Sequence, residues 1–118
     1  MKLPIQYALT YPKRLKGLVA RPDFAKLGEL HFENPDTERF PALKLAYEAG
    51  KTGGTLPAIM NAANERAVEM FFKNEISFTE ISQVVEKTMN AFEVKYNSSL
   101  DEILEVSNKA YKEAEKFR

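Results

Sequence analysis

Residues able to do chemistry are few in this chain, and they are scattered. His31 is the only histidine, with Glu33 and Asp36 close behind it in sequence. A histidine and two carboxylates are metal-ligand or acid–base types. A bound metal, however, wants three or four converging ligands, and one histidine in an alternating stretch reads as a surface or satisfied group. Glu65 and Glu69 lie four residues apart on one expected helix and Glu48 lies on another. Facing glutamates hold two metals in helical bundles when Glu-x-x-His motifs accompany them. None does here, so a solvated acidic face is the reading. Gly50-Lys51-Thr52-Gly53-Gly54 has the residue types of a phosphate cradle without the spacing of a P-loop or of GxGxxG, and reads as a turn between helices. The most unusual stretch is Asn61-Ala62-Ala63-Asn64-Glu65. Asparagine competes with the helix for backbone hydrogen bonds, and two at i, i+3 point the same way. They either satisfy backbone groups of a neighbouring segment or touch a ligand. With no cysteine, disulfides, thiolate metal sites and cysteine nucleophiles are all excluded. These residues form no catalytic constellation, so no catalytic, cofactor-binding or metal-binding role follows from them.

The elements that would position these residues are set by proline and glycine. All six prolines and all five glycines fall between Pro4 and Pro57. Proline fixes φ and removes a donor, and glycine loosens the backbone. The front of the chain should therefore be short and broken, and the back can hold long helices. Residues 1–36 read as an irregular arm. Pro4 to Thr10 can make two helical turns that Pro12 ends, and the alternation of Leu30 and Phe32 with His31 and Glu33 fits a short strand. Four helices are expected after it. The first runs from Thr37 to Ala49, with Leu43, Ala46 and Tyr47 on one face joined by Phe40, and Gly50 as C-cap. The second runs from Leu56 to Lys73, capped by Thr55, with Pro57 in its first turn. Its apolar side is Ile59, Ala63, Ala67 and Phe71, and the alanines point to close approach of another helix. The third begins near Thr79, where Ser77-Phe78-Thr79-Glu80 fits a capping box, and carries Ile81, Val84, Val85, Met89 and Phe92 at helical period. The fourth opens with the capping box Ser99-Leu100-Asp101-Glu102. Its stripe is Leu100, Ile103, Leu104, Tyr111, Ala114 and Phe117, with a shallow patch at Ser107 and Ala110. Short connections favour antiparallel neighbours. The fold expected is mainly α: a four-helix up-and-down bundle over 37–118, preceded by an irregular arm over 1–36 with a short strand.

Bulk properties narrow the class of partner. The 118 residues, 44% hydrophobic and 29% charged, suit one soluble domain with a real core. Basic and acidic residues balance at 17 each, so the excess of positive charge that phosphate backbones reward is missing and nucleic acid is not an expected partner. Pro4 and Gln6 interrupt the N-terminus, which does not read as a signal peptide. No stretch approaches the roughly 18 apolar residues that a membrane helix needs. A cytoplasmic protein is expected.

Several segments resemble one family in order. Asn61-Ala62-Ala63-Asn64-Glu65 with Ala67-Val68, then Ile76-Ser77-Phe78-Thr79-Glu80-Ile81, are similar to the Asn-Ala-Ala-Asn-Glu helix and the Ile-x-Phe-Thr-Asp-Ile helix start of the 1-deoxy-D-xylulose 5-phosphate reductoisomerases, with Glu80 in place of the usual Asp. Upstream, Phe40-Pro41-Ala42-Leu43-Lys44-Leu45-Ala46 resembles the family's Tyr/Phe-Pro-x-Leu-x-Leu-Ala. Leu30-His31-Phe32-Glu33-x-Pro35-Asp36 resembles its Leu-x-Phe-x-x-Pro-Asp, and Met1-Lys2-Leu3-Pro4-Ile5 its Met-Arg-x-Pro-Ile. Residues 93–118 match only in helical character.

The resemblance implies the C-terminal portion of a much longer enzyme. Such enzymes begin with a Rossmann-type NADPH-binding domain, continue through a central domain bearing acidic metal ligands, and end in a helical bundle. The whole enzyme rearranges and reduces 1-deoxy-D-xylulose 5-phosphate to 2-C-methyl-D-erythritol 4-phosphate with NADPH and Mg²⁺ or Mn²⁺, in the non-mevalonate isoprenoid pathway. Of the active-site lining only Met1 falls on a matching position, at the family's Pro-Asp-Met corner. The chain alone is therefore expected to be inactive, to have the enzyme's N-terminal and central domains as partners, and to self-associate through the arm's apolar residues Leu3, Ile5, Tyr7 and Leu9. Two other readings are a free-standing helical interaction module, which would seat an amphipathic helix in a groove, and a small metalloenzyme.

Overall fold

The computed structural model describes residues 1–17 and 19–118. The chain is mainly α, and its contacts divide it into two units, Met1–Asn34 and Pro35–Arg118.

In the first unit, helix α1 (Lys2–Thr10) carries Pro4 in its first turn, where the lost N–H has no helical acceptor in any case. Thr10 closes the segment: its hydroxyl lies 3.0 Å from the Gln6 carbonyl and 2.8 Å from that of Lys13. The Gln6 amide donates to Lys16 O at 2.9 Å. Arg14 lies over the Tyr7 ring at 4.2 Å. A second helix, α2 (Phe24–Leu27), is a single turn that Asp23 caps through Ala25 N and Lys26 N; it was not anticipated. Leu30 to Glu33 form no strand. Their alternation has the right period, but a strand needs a second strand to take its backbone hydrogen bonds, and the described residues contain none. No described residue of this unit is buried. Leu9, Phe24 and Phe32 lie open.

The second unit is the bundle. Asp36 accepts hydrogen bonds from Glu38 N and Arg39 N, which holds residues 37–39 in a turn. Helix α3 (Pro41–Thr52) starts only at Pro41, four residues later than expected. Gly50 lies inside it, and the C-cap is Gly53, at φ 69°. Helix α4 (Leu56–Phe72) runs through the centre and packs on α3, on α5 (Glu80–Asn90) and on α6 (Leu100–Ala114). Its buried residues Ile59, Ala62, Ala63, Ala67 and Met70 include three alanines. Ala110 and Ala114 of α6 are also buried, so small side chains on both helices let the axes come close. Burying Ile59 fully is worth about 1.5–3 kcal/mol. Helix α5 adds Val84, Val85, Thr88 and Met89, and the Thr88 hydroxyl donates to Val84 O at 2.8 Å, so its burial leaves no orphan. The capping box of α6 forms: Ser99 Oγ accepts from Glu102 N and the Glu102 carboxylate accepts from Ser99 N. Beyond Ala114 a 3-10 turn, Glu115–Phe117, ends the chain.

On α3 the core face is Leu45 and Ala49, and the face of Leu43, Ala46 and Tyr47, with Phe40 ahead of it, is exposed. Two side-chain expectations are corrected. On α6 Leu100 and Leu104 stay in solvent and the shallow patch at Ala110 is the buried part. Thr55 makes no side-chain cap on α4. Its hydroxyl accepts instead from Lys95 N at 3.1 Å, and Thr55 N donates to Lys95 O at 3.0 Å. This two-way clamp ties the α3–α4 turn to the α5–α6 loop. Among the described residues, no helix is long and apolar enough to cross a membrane.

Candidate functional site

A cluster of interlocking charged side chains on the bundle was not foreseen. Arg66 sits on α4 three residues after Ala63 and four before Met70, within the buried side of the helix. An arginine there needs partners, because an unpaired buried charge is costly. It finds them one turn along α4, on α6 and in the 3-10 turn that follows α6. Arg66 Nη1 lies 3.1 Å from Glu69 Oε2, and Nη2 lies 3.0 Å from Glu115 Oε1. The guanidinium faces the Tyr111 ring at 5.6 Å, and the Tyr111 hydroxyl donates to Glu69 Oε2 at 2.6 Å. Arg66 Nε is buried without a partner. Burial by itself pulls the Arg66 pKa down; the Tyr111 hydroxyl and the two glutamates outweigh it and raise the value. The Tyr111 bond, helped by Arg66, holds the Glu69 carboxyl below the usual glutamate range. The Tyr111 hydroxyl is raised in turn, first by that same bond. A tyrosine held protonated and a glutamate held ionised by each other are poorly suited to proton transfer. The cluster fastens α6 to α4. Its sequence signal was the single Arg on the alanine face, with Glu at i+3.

The residues singled out from sequence are not brought together. His31 Nε2 pairs with Glu29 at 3.7 Å, both open to solvent, and Asp36 is engaged in its turn. On α4 Asn61 Nδ2 donates to Glu65 Oε1 at 3.1 Å. Asn61, Asn64 and Glu65 are all exposed, so the two asparagines serve no neighbouring backbone here. Glu69 belongs to the Arg66 cluster and Glu48 is exposed. Gly53 and Gly54 make the α3–α4 turn at φ 69° and 56°. Met1 is almost fully exposed and is the N-cap of α1. Among the described residues no three His, Asp or Glu side chains converge on a common point. A divalent ion has no fitting donor set in them, nor does the sequence offer the glycine-rich turn of a dinucleotide site.

A groove of about 280 Å³ lies between the α5–α6 loop and α6, lined by Thr55, Phe92, Lys95, Glu102, Glu105 and Lys109 among others. Three of its charges are already committed: Lys109 pairs with Glu105 at 2.6 Å, and Glu102 serves the capping box.

Comparison with known proteins assigns the architecture. Residues 1–113 match the family described as DXP reductoisomerase C-terminal domain. The 1-deoxy-D-xylulose 5-phosphate reductoisomerase of Halothermothrix orenii is 49% identical over 92% of this chain and 28% of its own length. That of Chloroherpeton thalassium is 50% identical over 90% and 27%. The structure of the Zymomonas mobilis enzyme in complex with NADPH superimposes with a TM-score of 0.88 at 44% identity, covering 97% of this chain and 30% of that one. A DOX-P reductoisomerase in complex with NADPH, fosmidomycin and magnesium gives 0.84 at 34% identity, over 98% and 31%. The chain thus spans under a third of the length of these relatives, and it belongs to the DXP reductoisomerase C-terminal domain family.

Proposed function

We propose that this chain is the non-catalytic C-terminal part of a 1-deoxy-D-xylulose 5-phosphate reductoisomerase. The whole enzyme converts that substrate to 2-C-methyl-D-erythritol 4-phosphate with NADPH and Mg²⁺ or Mn²⁺. The observation that carries the reading is the family match over residues 1–113 in a chain that spans only 28% of a relative such as the H. orenii enzyme. NADPH and magnesium are named for relatives. The acidic ligands and cofactor turn are assigned to the enzyme's N-terminal and central domains, since the residues of this chain do not fit either group. Its own work is to support the active site: catalytic groups hold their geometry only when a packed shell behind them does.

Within that reading, residues 1–36 are an arm running from the central domain and 37–118 are the bundle. The support for an arm is physical: Leu3, Ile5, Leu9, Phe24 and Phe32 are largely exposed, and their unit buries none of its described residues. Apolar surface of that kind marks a contact. Met1 borders the substrate pocket of the whole enzyme. Freed of the other domains, the arm makes the isolated chain self-associate, and sedimentation showing a clean monomer at high concentration would contradict this. The reading also carries a cytoplasmic location, which the cysteine-free composition suits. To test the main reading, the C-terminal domain of the H. orenii enzyme is replaced by this chain and turnover is followed. A hybrid that consumes NADPH with the substrate supports it. A folded hybrid without turnover, beside an active parent, counts against it.

A further inference from the structure

Helix α3 carries two apolar faces, and the bundle uses one. Leu45 and Ala49 are buried against it. Leu43, Ala46, Tyr47 and Gly50 follow one another at offsets 0, 3, 4 and 7. At 3.6 residues per turn their stripe lies about 130° around the helix from Leu45 and Ala49. Leu43 is 40% and Tyr47 63% exposed, with Phe40 at 56% just ahead of the helix. One exposed leucine is ordinary; a continuous apolar stripe on a helix is not. Lys44, Glu48 and Lys51 run along one flank as a polar rim of the kind that borders interfaces.

Gly50 is an independent sign. It lies inside α3, where glycine destabilises a helix relative to alanine. A Cβ added there would meet nothing within 4 Å, so no residue near it in this structure uses the missing side chain. A glycine at the end of an exposed apolar stripe suits the close approach of another backbone. The length of the relatives says where one would come from: more than two thirds of such a polypeptide lies outside the matched segment.

We infer that the Leu43–Ala46–Tyr47–Gly50 face of α3 is the seat of the remainder of the reductoisomerase chain, with a segment of that chain crossing at Gly50, beside Tyr47. This rests on the reading that the chain is part of such an enzyme.

The test is hydroxyl-radical footprinting by mass spectrometry on the isolated chain and on the full-length hybrid in which this chain replaces the H. orenii C-terminal domain. Tyr96, exposed in the α5–α6 loop, is the internal reference. Relative to Tyr96, Tyr47 should label about fivefold more slowly in the hybrid, because a docked segment excludes water from it. Gly50→Leu should restore Tyr47 labelling and lower turnover in the hybrid, yet raise the melting temperature of the isolated chain. Those opposed signs would not arise if Gly50 mattered only to folding. Equal Tyr47 labelling in the isolated chain and the hybrid overturns the inference. So does protection that appears in the isolated chain as its concentration is raised, which would mean a second copy occupies the face. Turnover of the unsubstituted hybrid separates the two readings: an active hybrid with Tyr47 open sinks this inference alone, and an inactive one with Tyr47 open sinks both.

Discussion

Gly54→Ala should be among the most damaging single-atom-scale changes in the bundle. Gly54 sits at φ 56°, and a Cβ there would lie 2.5 Å from Lys95 O and 2.9 Å from Val94 Cγ1. The left-handed conformation alone costs a non-glycine residue about 1–2 kcal/mol. Relieving the overlap means moving the α5–α6 loop, and forced overpacking costs about 1–3 kcal/mol. Lys95 is also the partner in the Thr55 clamp, so the movement loosens both of its bonds. A loss of about 3.5 kcal/mol follows from adding the conformational and steric contributions at their middle values. Urea denaturation followed by circular dichroism measures it. Thr55→Val leaves Lys95 N without its acceptor and should cost about 1–2 kcal/mol by itself. Because both changes act on one clamp, the double variant should lose less than the sum of the two. A Gly54→Ala loss under 1 kcal/mol, or strict additivity with Thr55→Val, would refute the steric and clamp argument.

Other outcomes follow from the same contacts. Ser99→Ala removes the cap of α6 and should cost about 1 kcal/mol in the same denaturation experiment. Arg66→Ala strips the packed stem and both ion pairs from the α4–α6 seam and should cost about 1–3 kcal/mol, while Tyr111→Phe should let the Glu69 carboxyl rise toward its usual value in an NMR titration. Gly50→Ala should stabilise the isolated chain by about 0.5–1 kcal/mol, since alanine suits a helix interior and meets nothing there. Acid should weaken the bundle in a defined direction. The Ser99 and Ser77 backbone N–H groups hold the Glu102 and Glu80 carboxyls below the usual glutamate value. Between the folded and ordinary values the unfolded chain binds protons that the folded one does not. Their stabilisation is therefore complete above the ordinary value and is lost as pH falls through the folded value. The urea midpoint of Glu102→Gln should depend less steeply on pH in that window than the parent's.

Much of the bundle is written in local signals. Pro57 in the first turn of α4, the capping box at Ser99 and the period of Val84, Val85 and Met89 each fix an element from a few residues. Signals fail where the deciding partner is distant or external. The stripe through Leu43 and Tyr47 has a correct helical period, yet it is not the side the bundle buries. Periodicity finds an apolar face but does not say what covers it, and here the bundle chose Leu45 and Ala49. The Leu30–Phe32 alternation lacks a second strand among the described residues. Helix α2 is too short to show a period, although Asp23 and Gly28 flank it as caps. The family was legible from Asn61–Glu65 and Ile76–Ile81, yet those residues make no site on this chain. The Arg66 cluster depends on Tyr111 and Glu115, far along the sequence, and only the packing of α4 on α6 joins them.

A structural part of an enzyme whose chemistry lies elsewhere should be silent alone and needed by the rest. NADPH consumption with 1-deoxy-D-xylulose 5-phosphate and Mn²⁺ is followed in three samples. One holds this chain alone, one an H. orenii enzyme truncated before its C-terminal domain, and one the two together. Silence from this chain, little turnover from the truncated enzyme, and recovery of turnover on mixing are expected. Turnover by this chain alone, or a truncated enzyme as fast as the intact one, would contradict that structural role.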